Sequence, residues 1–250
     1  MNTGENAVRW KREDVHDWGV VSREFSVERA GHEVPAMLWT PVDARAPRPL
    51  VLIGHGGSQS KNAPGVAELA SRFVRAHGFA ATAIDGPIHG ARRSDALAGP
   101  AMQQAFRDMW ATDTRIDFMI ADWQATLEAL VRMDSVDSRA IGWYGVSMGT
   151  AYGLPFIAKE PRIRAALLGM WGTDYENSTR LAEDAPSVRC PVLFQMKWDD
   201  QFFAREGQLD LFDRLGSKQK WCKVYMGAHT PVDGVQLDDV EDFLASQLQR

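Results

Sequence analysis

Short apolar segments alternate with amphipathic ones along most of the chain. Near its start, two segments rich in apolar residues, 20–27 and 34–39, flank the turn Ala30-Gly31-His32, which predicts a β-hairpin over 18–40. The continuous apolar run Leu50-Val51-Leu52-Ile53 is typical of a strand buried on both faces of a parallel sheet. The segment 66–77 then has helical spacing and stops at Gly78, a common helix terminator.

Strand and helix patterns continue to alternate from there to the end. Further strands are predicted at 79–84, 139–144, 163–170, 191–196 and 221–226. Further helices are predicted at 117–133, from the residue after 147 to about 159, at 203–215 and at 240–248. This order predicts an α/β fold with a mostly parallel central sheet, helices on its faces and the antiparallel hairpin at one edge, all in a single domain, 1–250.

The segment Gly86–Thr112 lacks strand character and lies where a cap over a pocket is often inserted. Within it, Met102, Phe106, Met109 and Trp110 recur at roughly helical spacing. Two interpretations stay open, a small lid with an apolar underside and a segment that packs into the core.

Composition narrows the class of protein. The 250 residues carry a formal net charge of −5, and this mild acidity argues against nucleic acid or an anionic membrane as the main partner. No apolar run approaches the ~20 residues of a membrane helix, and the polar start lacks the apolar core of a signal peptide. We therefore expect a cytoplasmic protein that acts on a small molecule, without a metal or a cofactor.

The pentapeptide Gly145-Val146-Ser147-Met148-Gly149 carries the clearest chemical signal. G-x-S-x-G between a strand and a helix predicts a nucleophile elbow, a sharp turn that presents the serine hydroxyl at the edge of the sheet. Glycine is required at both ends because a Cβ there would collide with a neighbouring element.

A serine nucleophile needs a base and an orienting acid. Of the six histidines, only His229 follows Ser147, and it comes just after the last predicted strand. For the acid, the strand ending at Met196 is followed by two candidates; we expect Asp199, with Asp200 as the alternative. Asp174, after the preceding strand, is a third option.

The oxyanion of a tetrahedral intermediate needs two hydrogen-bond donors. One is the backbone N–H of Met148, at the start of a helix. The other is expected in the loop Gly54-His55-Gly56-Gly57-Ser58, from Gly57 or, failing that, Ser58. We expect His55 to brace this loop.

A second motif, Asp85-Gly86-Pro87-Ile88-His89-Gly90, also follows a predicted strand. Asp85 and His89 resemble an acid–base pair. Hydrogen bonds that hold the loops around the elbow are the favoured interpretation.

With these residues in view, the chain resembles the α/β-hydrolase family, in particular its small dienelactone-hydrolase-like and prolyl-oligopeptidase-like members. The resemblance rests on His55-Gly56-Gly57, Asp85 with His89-Gly90, the elbow, Asp199 and His229, and so covers the core from about residue 50 to 230. Dienelactone hydrolases themselves use a cysteine nucleophile, where this chain has Ser147.

The function expected from these residues is hydrolysis of a small-to-medium apolar carboxylic ester or lactone through an acyl-enzyme. Aromatic residues near the predicted site suggest an apolar pocket, namely Trp171, Trp198, Phe202 and Phe203. The same triad also serves C–C bond hydrolysis, thioester hydrolysis and acyl transfer, and a catalytically silent small-molecule-binding protein is the alternative from another class.

Overall fold

A computed structural model describes residues 7–43, 46–95 and 97–249. Nine strands form one sheet in the order β1-β2-β3-β5-β4-β6-β7-β8-β9. The strands are β1 Val8–His16, β2 Val20–Arg29, β3 His32–Pro41, β4 Arg48–Gly54, β5 Ala80–Ile84, β6 Val136–Gly145, β7 Ile163–Gly169, β8 Val192–Lys197 and β9 Lys220–Tyr225. The first three strands and β5 pair antiparallel, and every pair from β5 to β9 is parallel. The predicted α/β architecture with an antiparallel hairpin at one edge is confirmed.

Seven α-helices cover the sheet in the described part of the chain. They are α1 Pro64–His77, α2 Gly99–Thr112, α3 Ile116–Leu130, α4 Met148–Lys159, α5 Thr179–Asp184, α6 Arg205–Arg214 and α7 Gly234–Leu248. Helices α1 and α7 pack on one face, and α2 to α6 contribute to the core on the other. Between residues 7 and 249, apart from the two short gaps, no helix has both the length and the apolar character needed to cross a bilayer.

Strand β1 is an element that the sequence pattern did not reveal. Most of its residues are exposed, so it lacks the apolar alternation by which a half-buried strand is recognised. It is held to β2 by backbone pairing and by ion pairs such as Glu13 with Arg23, and Lys11 reaches across β2 to pair with Glu33 of β3. The ring of Trp10 also packs on Phe25.

Helix α2 decides part of the open question about segment 86–112. Its apolar residues Met102, Phe106 and Trp110 are buried in the core, where Trp110 contacts Tyr152 and Trp171. Only the start of the helix reaches the large cavity described below. The apolar face is therefore core, and movement of this segment as a lid stays a prediction.

The carboxyl ends of β4, β6, β8 and β9 all reach the same edge of the sheet, since these strands run parallel. The loops that follow them carry the predicted site residues, as expected for an open α/β sheet.

Candidate active site

Ser147 occupies the sharp turn between β6 and α4. Its backbone has φ 56° and ψ −125°, a strained conformation for a residue with a Cβ. The turn is held by its own N–H, which donates to the Gly169 carbonyl at 2.9 Å, and by the Thr150 hydroxyl, which donates to the same carbonyl at 2.6 Å. These hydrogen bonds therefore hold the serine in its strained conformation at the end of the sheet.

Close contacts explain both glycines of the pentapeptide. A Cβ on Gly145 would lie 2.6 Å from the carbonyl oxygen of Gly149, and a Cβ on Gly149 would lie 2.4 Å from that of Gly54. Real Cβ atoms essentially never approach other atoms so closely. The predicted elbow and the reason for its glycines are confirmed.

His229 lies in the loop after β9, beside the serine. Its Nε2 is 3.1 Å from the Ser147 hydroxyl oxygen, and its Nδ1 is 2.8 Å from Oδ2 of Asp200. The imidazole also packs against the rings of Phe202 and Phe203, and its side chain is only 12% exposed. The structure therefore brings together the predicted nucleophile and the predicted base.

The prediction that Asp199 contacts His229 is wrong, and the contact is made by its neighbour Asp200. Pairing of β8 with β9 continues past the strand ends, with the N–H of Asp199 donating to the Gly227 carbonyl at 3.0 Å. This register turns the Asp199 carboxylate back to the Gly227 N–H, 3.2 Å away. Asp200 comes where the chain leaves the sheet, and its fully buried side chain reaches His229.

Asp174, the third option for the acid, is exposed and lies against Gly207 of α6. It makes no hydrogen bond to His229 in the described structure.

The loop after β4 supplies the candidate oxyanion donors. The N–H of Gly56 is already bound to Oε1 of Gln59 at 3.1 Å, which removes it as a donor to substrate. Among the described residues, the N–H groups of Gly57 and Ser58 have no acceptor, and both residues line the cavity that contains Ser147. Met148 is the first residue of α4, so its N–H has no partner within the helix. The assignment of Gly57 and Met148 stays a prediction.

The motif at 85–90 holds loops together. The buried Asp85 carboxylate pairs with the Lys61 ammonium at 2.9 Å and accepts the N–H groups of Lys61 and Ala91. His89 donates from Nε2 to the Gly57 carbonyl at 3.0 Å. Asp85 and His89 do not form an acid–base pair in this structure, which agrees with the favoured interpretation.

A cavity of about 580 Å³ opens in front of Ser147. One wall is formed by the start of α1 and another by the segment 230–237, neither of which was predicted to line it. Its apolar lining consists of Val66, Leu69, Pro100, Val146, Met170, Phe202, Pro231, Val232 and Leu237. Carboxylates line it at Glu68 and Asp233, and no lysine or arginine does so in the described ranges.

Of the four aromatic residues predicted to form the pocket, only Phe202 lines this cavity. Trp171 is buried and donates its indole N–H to Ser178, and Phe203 packs on its ring. Trp198 is 44% exposed, with the Arg205 guanidinium 4.3 Å above its ring. Of these aromatic residues, Trp171 and Phe203 therefore pack in the core next to the site and do not line the pocket.

Comparison with known proteins agrees with this geometry. The family model of the dienelactone hydrolase family matches residues 34–229, more than three quarters of the chain. The chain belongs to the dienelactone hydrolase family. The match spans every candidate residue from the oxyanion loop to His229, and this family membership identifies the chain as a hydrolase of the esterase kind.

Solved structures place this family member among esterases of the α/β-hydrolase fold. It is 36% identical to a cold-adapted esterase from an Arctic intertidal metagenomic library, with a TM-score of 0.84, covering 96% of this chain and 99% of the other. An acetyl xylan esterase from Paenibacillus sp. R4 is 17% identical with a TM-score of 0.75, over 96% of this chain and 88% of that one, and shows the shared fold. Comparison with curated proteins gave no match.

Proposed function

We propose that this protein hydrolyses small-to-medium apolar carboxylic esters or lactones through an acyl-enzyme on Ser147, with His229 as general base and Asp200 as orienting acid. The hydrogen-bonded series from the Ser147 hydroxyl to His229 at 3.1 Å and on to Asp200 at 2.8 Å carries the proposal. The esterase activity of the 36% identical Arctic relative supports it.

In acylation, Ser147 Oγ forms a bond to the ester carbonyl carbon while its proton passes to Nε2 of His229. The carbonyl electron pair moves to oxygen, and the N–H groups of Met148 and Gly57, with Ser58 as the alternative, stabilise that oxyanion. When the C–O bond of the ester breaks, the imidazolium returns its proton to the leaving alkoxide, which departs as the alcohol.

In deacylation, water takes the place of the alcohol. His229 accepts a proton from the water as it adds to the acyl carbon, and the collapse of the second tetrahedral intermediate returns a proton to Ser147 and releases the acid. Throughout, Asp200 accepts from Nδ1 of His229, which keeps Nε2 free to accept a proton and stabilises the transient imidazolium.

The cavity favours an ester that is mainly apolar. Its walls carry aliphatic side chains from α1 and the segment 230–237, and the aromatic ring of Phe202 lies near His229. Its volume of about 580 Å³ falls in the range of small-molecule pockets.

Hydrolysis of p-nitrophenyl acetate and butyrate by the wild type, Ser147→Ala and Ser138→Ala tests the proposal. Ser138 is an exposed residue of β6 and serves as the matched control. We expect turnover and labelling by a serine-directed phosphonate in the wild type and in Ser138→Ala, and neither in Ser147→Ala. Labelling without ester turnover would indicate that the triad catalyses thioester or C–C bond hydrolysis instead. A wild type that shows no labelling and no turnover would contradict catalysis by Ser147.

A further inference from the structure

Two buried histidines outside the triad contact the loop that supplies the candidate oxyanion donors. His55 is 2% exposed and His89 is fully buried, and their ring centroids lie 5.0 Å apart in an edge-to-face arrangement. The proton transfers described above use neither ring. Both rings instead form hydrogen bonds to the loop of Gly56 to Ser58.

His55 fixes the peptide that joins Gly56 to Gly57. The N–H of Gly86 donates to Nε2 of His55 at 2.9 Å, so the proton of the neutral ring is on Nδ1. That Nδ1 donates to the Gly56 carbonyl at 2.9 Å. Because a trans peptide is planar and its C=O and N–H point in opposite directions, holding this carbonyl fixes the direction of the Gly57 N–H.

His89 does the same for the next peptide. Its Nε2 lies 3.0 Å from the Gly57 carbonyl, which makes it the donor, and its Nδ1 has no partner within the described residues. Holding the Gly57 carbonyl fixes the Ser58 N–H on the opposite side of that peptide. The two imidazoles therefore bind the carbonyl side of both candidate donor peptides.

Neither ring is suited to carry a proton during turnover. Burial lowers the pKa of His55, and burial together with the neighbouring His55 lowers the pKa of His89 to about 3. Both rings are thus neutral at neutral pH. A neutral ring with one N–H has a single donor, and in each ring that donor is bound to a loop carbonyl.

We propose that His55 and His89 are positioning residues that hold the peptides of Gly56 and Gly57 so that the N–H groups of Gly57 and Ser58 are oriented to receive the oxyanion. The inference rests on the proposed function, since it assigns how the oxyanion site of that reaction is built. It gives the motif at 85–90 a role in catalysis through the oxyanion loop.

Packing around His89 supports a fixed ring position. A Cβ on Gly86 would lie 2.6 Å from Nδ1 of His89, so only glycine leaves room for the ring. A Cβ on Gly90 would lie 2.2 Å from the Asp85 carboxylate, which binds Lys61 and Ala91 on either side of the motif. Gly86 is therefore accounted for by the position of the His89 ring, and Gly90 by the neighbouring Asp85 carboxylate.

Kinetics of His89→Leu and His89→Gln test the inference. Leucine removes the donor, whereas the amide nitrogen of glutamine can occupy the place of Nε2. The probe for the oxyanion is an alkyl trifluoromethyl ketone, whose carbonyl carbon bonds to Ser147 Oγ, with the serine proton passing to His229 and the negative charge forming on the carbonyl oxygen. His77→Leu is the control, because His77 lies at the end of α1, where it contacts Glu241.

We expect His89→Leu to lower kcat/KM and to raise the ketone inhibition constant by the same factor, about 10- to 100-fold. KM should change by less than about 3-fold, because only the negatively charged oxygen of the transition state needs the donors. His89→Gln should recover most of the loss, and His77→Leu should behave as the wild type. A loss of packing alone would change the melting temperature without this paired effect. Wild-type kinetics and inhibition in a folded His89→Leu would overturn the inference.

Two further measurements keep the test decisive. If His89→Leu does not fold, His89→Asn replaces it, because the shorter amide cannot reach the Gly57 carbonyl. Nitrogen-15 NMR of the imidazoles at neutral pH should show the Nε2–H tautomer for His89, and a ring protonated on Nδ1 alone would overturn the inference without reference to activity. A wild type that neither turns over esters nor binds the ketone would instead refute the proposed function.

Discussion

Asp200 presents Oδ2 to Nδ1 of His229 at 2.8 Å and uses its other oxygen on its own loop. Oδ1 accepts the backbone N–H groups of Phe202 and Phe203 at 2.9 and 3.1 Å. Three hydrogen bonds therefore fix a fully buried carboxylate in one orientation. Such an acid can hold the imidazole in one tautomer, which Asp199, bound to Gly227, cannot do.

Asp200→Asn should lower kcat by about 10³- to 10⁴-fold, because an amide in this place favours the wrong tautomer of His229. Asp199→Asn should cost less than about 10-fold, since an amide oxygen still accepts the Gly227 N–H. Steady-state hydrolysis of p-nitrophenyl butyrate by both variants at several pH values measures the difference. Similar losses from the two substitutions would contradict the assignment of Asp200.

Most of the parallel sheet could be predicted from the sequence, because apolar runs such as Leu50 to Ile53 are buried on both faces and have a strong pattern. Strand β1 could not be, since its stability comes from pairing and ion pairs with other strands. These contacts depend on residues distant in the sequence, such as Glu28 and Glu33.

The site shows the same division between local and distant information. Ser147 and His229 follow from a local motif and from chain order. The choice between Asp199 and Asp200 depends on how far the pairing of β8 with β9 continues, which is a property of the partner strand. The cavity walls from α1 and the segment 230–237 depend on how two distant elements meet over the sheet, and no local pattern reports that.

Gly149→Ala should abolish activity and destabilise the fold, because its Cβ would lie 2.4 Å from the Gly54 carbonyl oxygen. Relief of such a clash by movement of α4 or β4 typically costs about 1–3 kcal/mol in the free energy of unfolding and displaces Ser147. Urea unfolding and ester hydrolysis measure the two effects.

Gly31→Ala is the matched control for the elbow glycine. Gly31 has φ +81°, and nothing lies within 4 Å of a Cβ built there. It should lose about 1–2 kcal/mol from the left-handed conformation alone and keep wild-type kcat/KM. Full activity in Gly149→Ala would mean that the elbow tolerates a side chain at that position.

Neutral esters should be preferred over anionic ones of the same length. Among the described residues, Glu68 and Asp233 are the carboxylates that line the cavity, and neither lysine nor arginine lines it. Repulsion of about 1 kcal/mol from such partly solvated charges corresponds to a roughly 5-fold lower kcat/KM. The comparison is p-nitrophenyl pentanoate against the mono-p-nitrophenyl ester of succinic acid.

The double variant Glu68→Gln with Asp233→Asn tests the cause of that preference. It should narrow the difference between the two esters, and added salt should narrow it in the wild type, because ions screen partly exposed charges. An unchanged ratio in the double variant would assign the discrimination to the apolar walls.

Acidification should destabilise the protein between about pH 6.5 and pH 3, in part through His89. Burial lowers the pKa of this residue from 6.5 to about 3 in the folded state, so below pH 6.5 the unfolded chain binds a proton that the folded chain does not. The free energy of unfolding therefore falls as the pH falls, by up to about 1.4 kcal/mol per pH unit from this one group. Urea unfolding of the wild type and His89→Gln at pH 7, 5.5 and 4.5 measures the slopes. The free energy of unfolding of His89→Gln should fall less steeply with falling pH, by most of that amount, because glutamine does not titrate. Equal slopes in the two proteins would mean that the folded protein protonates His89 as readily as the unfolded chain does.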